Sequence, residues 1–125
     1  MDHDLVGVWQ LVEFGAAADN GRGIDGPLGP DPSGFLIYTP DGHVTVSMMR
    51  TRPGPGPSYM GYAGRWDVRD GRLTHHIVVA SRADWVGTAQ ERHARLDGDE
   101  LHVSAEPPGR GSERAVRWRR VRTEV

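Results

Sequence analysis

The chain contains no cysteine and no lysine, so all 15 of its basic residues are arginine. The first absence removes disulfides, thiolate nucleophiles and thiolate metal ligands. The second removes Schiff-base chemistry and lysine-anchored pyridoxal phosphate. No stretch approaches the ~20 apolar residues that a membrane-spanning helix needs, so a membrane is not expected as partner. The opening Met-Asp-His-Asp is acidic and no apolar run of signal-peptide length follows it, which reads as a cytoplasmic protein. A net charge of −2 supplies no general attraction to nucleic acid or anionic lipid. An all-arginine basic set rich in Gly, Ala and Pro also points to a GC-rich bacterial genome. Helical periodicity is scarce as well, with no amphipathic pattern longer than about two turns.

What the chain does contain is a series of short alternating runs, near residues 7–14, 34–39, 43–50, 61–69, 72–80, 88–96, 101–106 and 114–121. Their spacing, at roughly 8–12 residues between turn signals, is that of an all-β barrel or sandwich. A length of 125 residues suits one domain, 1–125, able to bury roughly two thirds of its unfolded surface. The Gly/Pro-rich stretches Gly15 to Ser33 and Arg52 to Ser58 read as loops at a barrel rim. Thr39-Pro40-Asp41-Gly42 predicts a type I turn closed by a left-handed glycine, Asp70-Gly71 a type I′ turn, and Asp97-Gly98-Asp99 a third hairpin.

Those turns set register, and register sets which side chains share a face. Val68 opposite Leu73 puts Trp66, Val68, Leu73, His75, Ile77 and Val79 inside, with Arg69, Arg72, Thr74 and His76 outside. Leu96 opposite Leu101 groups Thr88, Gln90, Arg92, Ala94 and Leu96 with Leu101, Val103 and Ala105. Tyr38 and Leu36 fall in line with Val44, Val46 and Met48. The interior is thus expected to be apolar except for Tyr38, His75, Gln90 and Arg92. Glu13 shares a strand face with Trp9 and Leu11, which makes it a further inward acid if Trp9 closes the barrel.

Five patterns stand in order along the chain: Gly7-Val8-Trp9; Gly34-Phe35-Leu36-Ile37-Tyr38-Thr39-Pro40-Asp41-Gly42; Tyr62-Ala63-Gly64-Arg65-Trp66; Thr74-His75-His76; and Trp85-Val86-Gly87-Thr88-Ala89-Gln90-Glu91-Arg92. Together they resemble the small bacterial lipocalin-like domain family of the lipocalin superfamily. The resemblance implies a single eight-stranded up-and-down antiparallel barrel holding one small, mostly apolar ligand. It implies that Trp9 closes the barrel floor under an arginine of the last strand, and alternation leaves Arg117, Arg119 and Arg120 all open. The chain is shorter than the large secreted lipocalins and lacks their cysteines and Thr-Asp-Tyr loop. Some small bacterial barrels of similar architecture are cofactor-free cyclases or isomerases in natural-product pathways.

The expected function is binding of a small apolar metabolite with an acidic or carbonyl oxygen, through a pocket of Tyr38, Met48, Trp66, His75, Trp85, Gln90 and Arg92. His75 is the candidate proton carrier, Arg92 the anchor for an oxygen anion, and Tyr38 a polar partner. The alternative is a cofactor-free isomerase, cyclase or lyase in which these residues supply general acid–base catalysis on a polyketide- or terpenoid-like substrate. The plainest reading is a satisfied internal network, since an unpartnered buried polar group costs about 1–3 kcal/mol. Trp66 and Met48 read as core that also walls the cavity, with Trp85, Met49 and Tyr59 at its mouth. No metal or cofactor is expected: adjacent strand residues face opposite ways, so His75 and His76 cannot grip one interior ion, and His43 and His93 add no diagnostic spacing. The five arginines between Arg114 and Arg122 accompany one aromatic, Trp118, and match no nucleic-acid-binding motif. Gly54-Pro55-Gly56-Pro57 suits a lid or an inert surface loop equally. A homodimer joined through barrel edges is a third, structural role.

Overall fold

The computed structural model describes residues 2–17, 23–104 and 114–122. Its elements run α1 (Asp2–Leu5), β1 (Gly7–Ala17), β2 (Gly23–Asp25), β3 (Ser33–Tyr38), β4 (His43–Met49), β5 (Tyr59–Arg69), β6 (Arg72–Ala80), a 3-10 turn (Ala83–Trp85), β7 (Ala89–Asp97), β8 (Glu100–Ser104) and β9 (Arg114–Arg120). β3 to β9 pair in sequence order, every pair antiparallel, and β1 pairs with both β3 and β9. The sheet therefore closes into an eight-stranded up-and-down barrel. That closure also leaves edge-to-edge dimerisation without an open seam between the first and last strands. The three-residue β2 is an addition, paired to β1 beyond the point where β3 leaves it. The segment from Gly15 to Ser33 is thus not all loop, because β1 runs to Ala17 and β2 lies within it. Residues 18–22 of that segment, and Ala105 with residue 106 of the seventh expected run, lie outside the described residues. No helix among the described residues is long and apolar enough to cross a membrane.

The turns set the registers their residues imply. Tyr38 opposes Val44, Val68 opposes Leu73, and Leu96 opposes Leu101. Asp70 and Gly71 both take positive φ, at +52° and +77°, as a type I′ turn requires, and Gly42 takes +93°. β4 alternates without a fault: Val44, Val46 and Met48 are buried, while His43, Thr45, Ser47 and Met49 are exposed.

Alternation fails at two bulges, and each corrects an expectation. Leu11 pairs with Trp118 but Glu13 with Arg117, so Val12 is an inserted residue in β1. Beyond it the faces exchange, putting Phe14 into the core and Glu13 into solvent. In β6, Ile77 pairs with Gly64 and Val79 with Ala63, leaving Val78 as the insertion. Val79 is 58% exposed as a result, not inside. The strands come very close here, since a Cβ on Gly64 would collide with the carbonyl oxygen of His76. Thr88 is exposed too, its hydroxyl donating to the Trp85 carbonyl at 2.6 Å to cap the 3-10 turn.

The hairpin turns gather at one end of the barrel, which α1 plugs. One helical turn is too short to leave a periodic signature, but its Leu5 is fully buried and its carbonyl accepts the Trp9 indole N–H at 2.9 Å. Arg120 is the arginine that crosses the floor. It stands opposite Trp9 in the β1–β9 register, its guanidinium 4.2 Å from the ring centroid, and it donates to the carbonyls of Val6 (3.1 Å) and Asp4. Arg117 and Arg119 turn the other way, towards Glu100.

The open end carries the longer loops, and Arg50 organises two of them. Its Nε donates to the Pro57 carbonyl (3.0 Å), Nη1 to Arg52 (2.9 Å), and Nη2 to Pro55 (2.6 Å) and Pro27 (3.2 Å). The Gly54–Pro57 stretch, bare of apolar anchors, is thereby wrapped around a guanidinium and tied to the segment before β3. Arg50→Met should leave global stability within about 1–2 kcal/mol, because the strands are untouched and these bonds are partly solvated. Amides of residues 51–58 should exchange hydrogen markedly faster while those of β4 and β5 do not. Unchanged exchange in the loop would show that its shape does not depend on Arg50.

Candidate functional site

A cavity of about 330 Å³ occupies the open half of the barrel interior. Its apolar wall includes Phe14, Leu36, Val46, Met48, Met60, Val103, Val116 and Trp118, and its polar wall Tyr38, Tyr62, His75, Gln90 and Arg92. Trp85 and Arg82 stand at the entrance, the guanidinium 5.2 Å from the indole centroid. Arg82 is itself held by Asp84, at 2.7 and 3.0 Å, so the mouth tryptophan leans on a pinned cation. A second concavity, about 660 Å³, is a shallow groove on the outside of the sheet over Ile37, Thr45, Val78 and Val79. The convergent polar groups belong to the interior.

Each of those groups owes its place to strand register. Trp66 faces His75 across the β5–β6 hairpin, and His75 faces Gln90 across β6–β7. Tyr38 comes from β3, across the barrel. The outcome is a chain of three rings. The Tyr38 hydroxyl is hydrogen-bonded to His75 Nε2 at 2.7 Å, and the Tyr62 hydroxyl to Nδ1 at 2.5 Å. His75 is 4% exposed, whereas His76 lies outside, bonded to Asp67 at 2.9 Å.

Burial keeps this trio uncharged. It pushes Tyr38 well above the ordinary tyrosine range, helped by Tyr62, and Tyr62 up to about 12 against the pull of Arg92. It drives His75 down to about 4, with the positive charges of Arg92 and His76 adding to the effect. Neutral His75 between two neutral phenols is the state at pH 7. Arg92 is the permanent charge beside them. Its Nη2 donates to Gln90 Oε1 at 3.1 Å and its Nη1 to its neighbour's carbonyl at 2.8 Å. Among the described residues no carboxylate pairs with it, because Glu91 points outward to Arg72 at 3.5 Å.

Six residues singled out from the sequence line the cavity: Tyr38, Met48, His75, Trp85, Gln90 and Arg92. Trp66 does not. It packs behind Tyr38, ring centroids 4.8 Å apart, and spends its indole N–H on the Thr39 carbonyl at 3.2 Å. Met49 and Tyr59 are not at the mouth either, since both lie on outward positions of their strands and are about half exposed. Tyr62 was missed. The signal for it was available, because stepping back from the inward Trp66 in twos along β5 reaches Gly64 and then Tyr62.

The family model for the lipocalin-like domain matches two overlapping segments of the chain, residues 6–58 and 54–121. Among curated proteins, the 4′-hydroxy-3′-methoxypropiophenone carrier protein of Aspergillus oryzae is 34% identical over 58 residues. That likeness covers 40% of this chain and 52% of the carrier, so it spans about half the relative's length.

Proposed function

From the premise that this chain belongs to the lipocalin-like domain family, we propose that it binds one small, mostly apolar molecule inside the barrel, through a carbonyl or acidic oxygen on that molecule. The observation that carries this reading is Arg92, a cation lining the cavity between its apolar wall and the neutral Tyr62–His75–Tyr38 chain, without a carboxylate partner among the described residues. An oxygen that is anionic or strongly polarised is what such a guanidinium lacks. The cavity, at about 330 Å³, falls at the small end of the roughly 300–1,000 Å³ usual for ligand pockets, which favours a compact ligand. The relative's cargo, by its name, is an aromatic ketone bearing a phenol. Aromatic walls from Phe14, Tyr62, Trp85 and Trp118 suit a flat molecule of that kind.

The cyclase or isomerase reading requires a group that changes protonation near neutral pH. His75, held near 4 and engaged at both ring nitrogens, is poorly placed for that work, which supports carriage over turnover. Calorimetric titration with 4′-hydroxy-3′-methoxypropiophenone, and with the alkylbenzene lacking its oxygens, tests the proposal. The ketone should bind one to one and the hydrocarbon much more weakly. Arg92→Met, which keeps the length but removes the charge, should weaken ketone binding about 10- to 100-fold. Equal affinity for ketone and hydrocarbon, or an unchanged affinity in the variant, would remove Arg92 as the anchor.

A further inference from the structure

We propose that Tyr62 is the residue that donates a hydrogen bond to the ligand's oxygen, and that His75 is a positioning residue, held as the Nδ1–H tautomer by Tyr38. The assignment rests on the binding reading above and refines it by naming the second donor and the kind of oxygen it takes. It follows from counting protons in the three-ring chain.

A neutral imidazole has one N–H and one lone pair, so its two phenol partners cannot play the same part. Either Nδ1–H donates to the Tyr62 oxygen while Tyr38 donates its O–H to Nε2, or Nε2–H donates to the Tyr38 oxygen while Tyr62 donates to Nδ1. In each case one phenol keeps an unspent O–H. The two tyrosines differ in what they can do with it. Tyr38 is 1% exposed, and His75 is the only hydrogen-bond partner of its hydroxyl among the described residues. Tyr38 borders the same cavity, but at 1% exposure it gives a water molecule no room to reach it, so an unspent proton there is a buried donor without a partner, which disfavours that arrangement roughly 5- to 150-fold. Tyr62 is part-exposed and lines the cavity with Arg92 and Gln90, so an unspent proton there faces the space a ligand fills. The first arrangement therefore prevails. Tyr38 donates inward, His75 passes the polarity across its ring, and the Tyr62 O–H is left over for the cavity.

The residual donor also has a direction. The Tyr62 oxygen already accepts from Nδ1, so the geometry favours its proton going to a ligand acceptor. Arg92 lines the same cavity as Tyr62, and a guanidinium has only donors to offer. Phenol and guanidinium together make a two-donor clamp for one acceptor oxygen, such as a ketone, an enolate or a carboxylate. An alcohol, which must also place a proton of its own, fits this clamp less well. Trp85 packs edge-on to Tyr62, ring centroids 6.3 Å apart at 90°, and restrains the phenol from the mouth side.

The first test needs no ligand. Nitrogen-15 long-range correlation spectra of the His75 ring at pH 7 should show a protonated Nδ1 and an unprotonated Nε2. The opposite assignment overturns the proposal. Tyr38→Phe removes the donor that pins Nε2, so the ratio should move towards Nε2–H, and an unmoved ratio would show that Tyr38 does not set it. The second test compares 4′-hydroxy-3′-methoxypropiophenone with the alcohol formed by reducing its ketone. Tyr62→Phe keeps the ring and should lower ketone affinity about 3- to 10-fold, with a smaller loss for the alcohol. Equal losses for both, or none, overturn the clamp. Failure of the unmodified protein to bind any aryl ketone would strike the binding reading alone, because the tautomer measured without ligand decides the His75 assignment either way.

Discussion

Lowering the pH from 7 to 4 is expected to remove about 3 kcal/mol of folding stability through His75 alone. Burial is the main cause, and the charges of Arg92 and His76 add to it. The folded ring titrates near 4 and the unfolded one near the ordinary 6.5, so between those values the unfolded chain holds the extra proton. Stability from this group is therefore complete above about pH 6.5, declines as pH falls, and stops declining below about 4. His102, also lowered, acts in the same direction but is less buried. The carboxylates of Asp41, Asp84, Asp99 and Glu100, lowered by hydrogen bonds, lose their contribution mainly below the unfolded carboxylate range. None of these groups changes in His75→Gln, which should show a shallower decline in urea-unfolding free energy between pH 7 and 4. Parallel curves for the two proteins would mean that His75 is not the source.

Trp9→Ala carries the other large effect, a loss of about 3–5 kcal/mol. The ring is wholly buried in the core beside Leu5 of α1. Its removal also strands the Leu5 carbonyl and takes away the surface on which the Arg120 guanidinium lies. Against a total of about 5–15 kcal/mol for a domain, that leaves a marginal fold. Thermal melts should show a Tm lower by more than about 10 °C. Trp9→Phe, which keeps an aromatic ring but loses the indole N–H, should fall between the two. A Trp9→Ala melt within a few degrees of the parent would show that the floor does not hold the barrel.

The inward face was legible wherever a tight turn fixed the register of a hairpin. Asp70-Gly71 placed His75 inside and His76 outside, and Asp97 to Glu100 placed Gln90 and Arg92 towards the cavity. Glu13 and Val79 went wrong for one shared reason: an inserted residue flips every later side chain, and neither Val12 nor Val78 differs in type from an ordinary strand residue. Trp66 went wrong differently. Facing inward does not distinguish lining a cavity from packing behind another ring, and only the position of Tyr38 separates the two. α1 left no trace because one turn has no period. The bond between Tyr38 and His75 joins β3 to β6 across 37 positions, and nothing local announces it.

The seam between β1 and β9 bears on how the chain reaches this state during synthesis. Arg120 meets the carbonyl of Val6 across 114 positions, so the floor is completed by almost the last strand residue to be made. Until residues 114–120 leave the ribosome, β1 and β8 each present an edge with no partner, and such edges pair readily with other chains. Contacts of this range form slowly, since a long loop must close before they repay it. A sheet formed before the ninth strand arrives is therefore an open one, with two edges that β9 alone later seals.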